Sequence, residues 1–149
     1  MIRNIITMIL FAAILLMAAI ALARTQDAVE YDWKMIRVVD GDTVQFEAPW
    51  VPQPIAPRIS VRVYGVDTPE KGHRAQCPHE ALLGQRATDY TKNMLASSKE
   101  IRVMVRDWDK YGGRILGDIM IDGRSLRTSL IAEGLAREYF GEAKTSWCN

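Results

Sequence analysis

Apolar and polar residues alternate along several short stretches of the chain, as they do in strands that bury one face. The alternation is clearest after Arg58, where Ile59, Val61 and Val63 share one side and Arg62 lies on the other. The same pattern predicts four further strands, at residues 33–39, 43–47, 101–106 and 114–121. We therefore expect the Arg62 side chain to point away from the aliphatic face of its strand.

Two other stretches repeat their apolar residues at helical spacing. Pro78 suits the first turn of a helix, and the repeat continues to Ala96. A second helix is predicted around Leu126 and Leu130, ending near Gly134. Three strands, a helix, two strands and a helix can form a five-stranded Greek-key barrel of the OB type. We predict this α+β, mainly β fold with two or three helices, although the order alone also allows other α+β arrangements.

The first residues of the chain have a different character. Residues 5–23 are almost unbroken apolar sequence behind a single charge, Arg3, and they end in Ala-Leu-Ala before Arg24. This is the layout of a secretory signal peptide. The run also approaches the roughly 20 residues that span a bilayer, so an uncleaved membrane anchor is the alternative.

We expect residues 1–23 to be the signal or anchor, 24–32 a linker, and 33–149 the folded domain. The domain would then be exported, to the periplasm or the medium, or held at the membrane outside the cytoplasm. We also expect it to be a monomer.

The net charge of the chain bears on how it could bind an anionic partner. The net charge of +1 falls to zero once Arg3 is removed, because 18 basic residues then face 18 acidic ones. A neutral domain has no overall field that attracts a polyanion. Contact with nucleic acid would therefore depend on a local basic cluster and should weaken with salt.

The two cysteines, Cys77 and Cys148, suggest a covalent link. An even number of cysteines in an exported chain favours a disulfide, which would fix the C-terminal tail to the middle of the domain. His73 and His79 flank Cys77, so a zinc site is an alternative, although the spacing fits no common structural pattern. Free thiols are the third alternative.

Acidic residues cluster where two predicted strands end. Asp40-Gly41-Asp42 forms a predicted hairpin turn, in which Asp40 is expected only to shape the turn. Asp67 and Glu70 follow the strand that carries Arg62. If neighbouring strands bring Asp42 and Asp67 together, the two carboxylates repel unless a proton or a cation lies between them.

Oxygen ligands of this kind suit Ca²⁺. Glu70 could orient or deprotonate a water molecule, and the guanidinium of Arg62 matches a phosphate. Together these groups describe hydrolysis of a phosphate ester.

Four motifs then extend the pattern: VVDGDTV, VRVYGVDTPE, DKYGGR and LIAEGLAREY, in this order. Over residues 33–140 the chain resembles the thermonuclease, or staphylococcal-nuclease-like, family. The resemblance implies an OB-type barrel with helices and a Ca²⁺-dependent nuclease that cleaves DNA, RNA or both, with internal cuts. It implies products that carry 3′ phosphates.

The resemblance also implies roles for individual residues. Asp42 and Asp67 resemble the calcium-ligating aspartates, and Thr68 resembles the residue whose main-chain carbonyl completes the set. Glu70 resembles the general base that orients the attacking water. Arg62 resembles the first phosphate-binding arginine.

The second arginine and the nucleotide pocket follow from the DKYGGR motif. Arg114 resembles the second phosphate-binding arginine, and Tyr111 resembles the tyrosine that lines the nucleotide pocket. The chain departs from the family pattern here, because Gly112-Gly113 stands where many members have one glycine. A shift of one residue turns a strand side chain to the other face unless a bulge absorbs it.

Two other functions are compatible with the fold. An OB domain that has lost catalysis could bind single strands through its groove and aromatic residues. A membrane-tethered scaffold would rest only on the apolar segment at residues 5–23.

Overall fold

The computed structural model describes residues 28–50, 57–110 and 112–148. The predicted signal segment, Tyr111 and most of the proline-rich loop at 48–57 lie outside the described residues. Within the described ranges, no helix is both long and apolar enough to cross a membrane.

One mixed sheet forms most of the fold. The described strands are β1 (Val29–Tyr31), β2 (Met35–Asp40), β3 (Thr43–Glu47), β4 (Arg58–Val63), β5 (Val66–Asp67), β6 (Ile101–Trp108), β7 (Arg114–Ile121), β8 (Arg124–Ser125) and β9 (Arg137–Glu138). The strand order in the main sheet is β1-β6-β7-β4-β3-β2, with β8 paired to β7, and β5 and β9 make a separate antiparallel pair. The helices are α1 (Pro78–Ala96) and α2 (Leu126–Ala132), with a short 3₁₀ turn at Gly72–Arg74.

The predicted class is confirmed as an α+β fold with two α-helices, and α1 has the predicted limits. The closed five-stranded barrel is not observed. Nine short strands are described, and no hydrogen-bonded ladder among them joins β2 to β1, the strand at the other edge. Val29–Tyr31, inside the expected linker, pairs with β6 because its extended backbone continues that edge of the sheet.

The core lies on one face of the sheet and is closed by the two helices. Alternate residues of the strands supply it, and Val44, Phe46, Val61 and Ile119 are fully buried. Leu126 of α2 is fully buried with them, at the start of the helix. The strand residues of opposite parity are therefore free to form the site.

Helix α1 also positions the segment that follows β5. Gly84 permits a close approach, because a side-chain Cβ there would meet the main-chain oxygen of Glu70 at 2.3 Å. Glu80 of the same helix is buried and accepts hydrogen bonds from the main-chain N–H groups of Glu70 and Gln76. Residues 68–77 are thus held against the start of α1.

The cysteines form the predicted disulfide, with a Cα–Cα distance of 5.9 Å. Cys77 is also the residue that caps the N-terminus of α1. Zinc and free thiols are not observed, since both sulfur atoms are used and no free cysteine is present in the described residues.

Removing the disulfide should destabilise the domain. The disulfide joins residues 71 positions apart and so restricts the unfolded chain. Cys148→Ser removes this restriction and should lower the free energy of unfolding by up to about 4 kcal/mol. Urea denaturation would measure it, and reductant should lower the stability of the wild type but not of the variant. Two free thiols in unreduced, denatured wild type would contradict the disulfide.

Candidate active site

The two predicted arginines lie on the same face of neighbouring strands. β4 and β7 are parallel, and their register pairs Ser60 with Arg114 and Arg62 with Leu116. Paired residues of adjacent strands project to the same side of a sheet, so Arg62 and Arg114 share one face. Both line a cleft with a volume of about 530 Å³, which Glu70 also lines.

The double glycine leaves the register of Arg114 intact. Gly112 and Gly113 both have positive φ, 72° and 70°, which glycine adopts without steric cost. The turn closes with a hydrogen bond from Gly112 N–H to the carbonyl of Asp109, and β7 begins at Arg114. The extra residue is therefore absorbed in the turn, before the strand starts.

Arg114 is held by an acidic residue that was not predicted from the sequence. Its Nε donates to Oδ2 of Asp109 at 2.8 Å, and its Nη2 lies 2.5 Å from the same oxygen. Asp109 is buried, which favours a fixed geometry for the pair.

Asp42 is buried with one unsatisfied oxygen. Only 1 % of the residue is exposed, and its Oδ1 accepts from Thr43 Oγ1 at 2.9 Å and from Arg62 Nη1 at 3.0 Å. Oδ2 has no hydrogen-bond partner. Burial raises the pKa of Asp42 to about 6, against the opposing effect of Arg62.

Asp40 is more than a turn former. It lies close enough to Asp42 to raise its pKa further, and its own Oδ1 is buried without a hydrogen-bond partner. Its Oδ2 is 3.3 Å from Arg74 Nη2, and Arg74 Nε is 3.2 Å from Oε2 of Glu70. Arg74 therefore links the hairpin turn to the candidate base.

The segment that carries Asp67 and Thr68 packs against the same turn. A Cβ on Gly41 would lie 3.2 Å from Cγ2 of Thr68, so the Asp40–Asp42 turn adjoins the end of β5. Asp67 is buried, with 6 % exposed. Its Oδ2 accepts from Trp147 Nε1 at 3.1 Å.

The other oxygen of Asp67 faces a cation. Oδ1 has no hydrogen-bond partner, but Lys144 Nζ lies 2.5 Å from it, so the two groups form an ion pair. An ammonium group beside one aspartate and an unpartnered oxygen on the other indicate a place for positive charge.

These donors fit Ca²⁺. All are hard oxygen atoms, and Asp42, Asp67 and the main-chain carbonyl of Thr68 would hold the ion together with water. No three His, Cys, Asp or Glu side chains converge on a metal position in the described part of the chain. The candidate ligand set therefore relies on two carboxylates and not on a dense acidic cage.

Aromatic residues form the rest of the cleft wall. Tyr64, Trp108, Tyr139 and Phe140 line it, and the guanidinium of Arg106 lies 4.3 Å from the centroid of the Tyr64 ring. Trp108 and Phe140 are more than half exposed, so their rings are accessible. The position of Tyr111 lies outside the described residues, and its predicted role stays a prediction.

Sequence comparison places the chain in a family. Residues 60–147, more than half of the chain, match the family described as staphylococcal nuclease homologue. The chain belongs to that family. Its matched region contains Arg62, Asp67, Glu70 and Arg114, while Asp42 precedes it.

Curated relatives of the chain include two bacterial endonucleases and a thermonuclease. The thermonuclease of Staphylococcus hyicus is 33 % identical over 121 residues, which are 79 % of this chain and 65 % of the relative. The endonucleases YhcR and YncB of Bacillus subtilis are each 32 % identical over 74 % of this chain, but over 9 % and 50 % of their own lengths. The chain thus spans less than two thirds of each of these relatives.

Several residues contact the predicted site residues without having been predicted as part of the site. They include Asp40, Arg74, Asp109, Lys144 and Trp147. One signal was present, since Trp147 precedes Cys148 and the expected disulfide carries it towards Cys77. The remaining contacts join residues that are distant in sequence or that carry common surface charges.

The raised pKa of Asp42 predicts how stability depends on pH. Because its pKa of about 6 exceeds the ordinary 3.8, the folded state prefers the protonated group and loses stability as pH rises from about 4 to above 6. In chelator at pH 8, Asp42→Asn should therefore be more stable than the wild type. Urea denaturation should show a free energy of unfolding that is higher by up to about 3 kcal/mol. Asparagine retains an oxygen that can accept from Thr43 and Arg62.

At pH 4 the two proteins should have nearly equal stability, because wild-type Asp42 is then largely protonated. Asp89→Asn is a suitable control, since the side chain of that aspartate is half-exposed on α1 and its pKa is lowered by Gln85. If the difference in the free energy of unfolding between wild type and Asp42→Asn increased on acidification, the interpretation of Asp42 as a buried charge would be contradicted.

Proposed function

We propose that the protein is a nuclease that hydrolyses phosphodiester bonds of DNA, RNA or both by internal cuts, with Ca²⁺ as cofactor. The observation that carries the proposal is the shared face of Arg62 and Arg114, which line one cleft together with Glu70. The buried Asp42 adjoins this cleft through its contact with Arg62. Family membership and the names of the relatives support the same activity.

The two guanidinium groups are oriented before a substrate arrives. Arg62 donates to the carboxylate of Asp42, and Arg114 donates to the carboxylate of Asp109. Donors that are already in place stabilise charge as it develops, with little reorganisation. Each arginine also offers a planar fork that suits two oxygens of one phosphate. We assign both to the phosphoryl oxygens in the transition state.

Glu70 is assigned to the attacking water. Its main chain is held by Glu80 and by close packing on Gly84, while its side chain remains 38 % exposed at the cleft. A carboxylate in this position can accept a proton from water as the water attacks phosphorus in line with the leaving 5′ oxygen. Arg74 orients the carboxylate through its contact with Oε2. A bound Ca²⁺ would withdraw negative charge from a phosphate oxygen.

The aromatic wall favours a nucleic acid over a small phosphate ester. Exposed rings such as Trp108 and Phe140 provide surfaces on which bases stack, whatever their sequence. The same wall would serve a catalytically inactive binding module. Cleavage therefore has to be measured separately from binding.

We also propose that the protein is exported and acts as a monomer. The Cys77–Cys148 disulfide supports an oxidising compartment, where such bonds persist. Mass spectrometry of the mature protein from its native host would test the predicted cleavage after Ala23. Retention of residues 5–23 would instead support the anchor.

Supercoiled plasmid DNA and a structured RNA are the substrates that test the activity. With Ca²⁺, we expect nicked and then linear plasmid, followed by fragments, because internal cuts relax a closed circle. Excess chelator should abolish the products. Undiminished cleavage in chelator would contradict the assignment of Ca²⁺, and binding without cleavage would support the inactive module.

Alanine substitution should separate catalysis from folding. Arg62→Ala, Glu70→Ala and Arg114→Ala should each lower kcat by about 10²–10³, the usual effect of losing one preorganised transition-state contact. Arg62→Lys should recover little, because an ammonium lacks the fork. Initial rates on plasmid DNA measure the effect, and circular dichroism reports the fold.

Arg102→Ala is the matched control, since this arginine lies at the other end of β6 from the cleft and contacts Glu100. Near-normal cleavage by Arg114→Ala would refute its role, and Arg106 would become the next candidate.

A further inference from the structure

A C-terminal segment, residues 143–148, contacts both oxygens of Asp67; we call it the strap. Trp147 is buried and donates its indole N–H to Oδ2 at 3.1 Å. Lys144 places its ammonium 2.5 Å from Oδ1. The strap thus contacts Asp67, one of the two candidate cation ligands, through two residues. Trp147 is 80 residues from Asp67 in sequence.

Several independent contacts hold the strap in place. Cys148 is joined to Cys77. Arg137, the cross-strand partner of Asp67, lies 3.7 Å from the centroid of the Trp147 ring. Its Nη1 also donates to the carbonyl of Ser146 at 2.9 Å. Because these contacts hold Trp147 and its neighbours, the indole N–H of Trp147 is kept in a fixed position.

The two side chains that contact Asp67 differ in how easily they can move away from it. Trp147 is only 7 % exposed and is enclosed by its anchors, so it cannot leave without displacing the strap. The Lys144 side chain is 47 % exposed and has free space at the cleft, which it also lines. A cation that approaches Oδ1 would meet the ammonium directly, and one of the two must move.

We propose that Trp147 is a positioning residue for the cation site, and that Lys144 is a tethered counter-ion which the incoming cation displaces from Asp67. Trp147 acts by fixing Oδ2, so that Oδ1 is presented to the cation. This inference rests on the cation site of the proposed function. It assigns opposite effects to two residues of the same short strap.

Calorimetric titration of the full chain with Ca²⁺, without nucleic acid, tests both assignments. Trp147→Phe should weaken binding about tenfold or more, as is typical when a group that orients a metal ligand is lost. Lys144→Met should tighten binding by about two- to fivefold, the effect of removing a partly exposed ion pair. A strap with a purely structural role would not change the affinity in opposite directions.

Matched controls exist for both variants. Lys92→Met removes a lysine of similar exposure that pairs with Asp89 on α1. Trp50→Phe removes an exposed indole that packs on Trp33. Both controls should bind Ca²⁺ as the wild type does.

Terbium luminescence gives a second readout that depends on proximity. Tb³⁺ takes similar oxygen ligands, and excitation of a nearby indole sensitises its emission. Emission should persist in Trp50→Phe and be lost in Trp147→Phe. Wild type and Lys144→Met should both emit, the latter at lower Tb³⁺ concentration, which keeps the test decisive if Trp147→Phe fails to fold.

Unchanged Ca²⁺ affinity in folded Trp147→Phe, or weaker binding by Lys144→Met, would overturn the proposal. So would a wild type that binds neither ion. If the wild type binds Ca²⁺ with the expected variant effects but cleaves no nucleic acid, the strap inference stands and the nuclease proposal fails. If it cleaves nucleic acid while the variants bind like wild type, the reverse holds.

Discussion

The buried carboxylate of Asp42 is the interaction on which the arrangement of the site depends. A carboxylate is costly in the interior unless it is paired, and here Arg62 and Thr43 satisfy only one of its oxygens. The contact fixes Arg62, which lines the cleft, and ties the turn before β3 to β4 through side chains. The second oxygen is left to a proton or a cation, so the same feature that limits stability at neutral pH prepares the site to bind positive charge.

The start of α1 organises the other half of the site. Glu80 holds the main chain of Glu70, Gly84 admits that segment closely, and Cys77 links it to the strap. The candidate base and Asp67 are therefore fixed by a helix and a disulfide, and not by the sheet alone. A covalent anchor at this point is useful because the tail after β9 contains no further helix or strand among the described residues.

Local pattern was sufficient for much of the fold. The alternation in β4 and β7 and the helical repeat of α1 are properties of neighbouring residues. β7 and α1 have the predicted limits, and β4 begins at Arg58 as predicted. The direction of Arg62 followed from the same parity. The pairing of β1 with β6 could not be predicted, because nothing within Val29–Tyr31 distinguishes an edge strand from an extended linker. The closed barrel was wrongly predicted for a related reason. Closure depends on pairing between the two edge strands of the sheet, which the pattern within each strand does not determine.

The residues of the candidate site could be proposed from the sequence where a motif contains them, but not where only tertiary contacts bring them together. Asp42, Asp67 and Glu70 stand in two recognisable motifs, whereas Asp109 and Lys144 are ordinary charged residues until the fold places them beside Arg114 and Asp67. The double glycine was ambiguous in sequence, because a turn or a strand could have absorbed it. The positive φ angles of both glycines put the extra residue in the turn.

We expect Asp42 and Asp67 to share a cation at the edge of the arginine-lined cleft. Crystals of the protein grown with Ca²⁺, and measured at a wavelength where calcium scatters anomalously, would show the ion itself. One anomalous peak should lie within ligand distance of Asp42 Oδ2 and Asp67 Oδ1, with the ammonium of Lys144 moved away. A well-ordered site in saturating Ca²⁺ with no such peak, and with Lys144 still on Asp67, would contradict it.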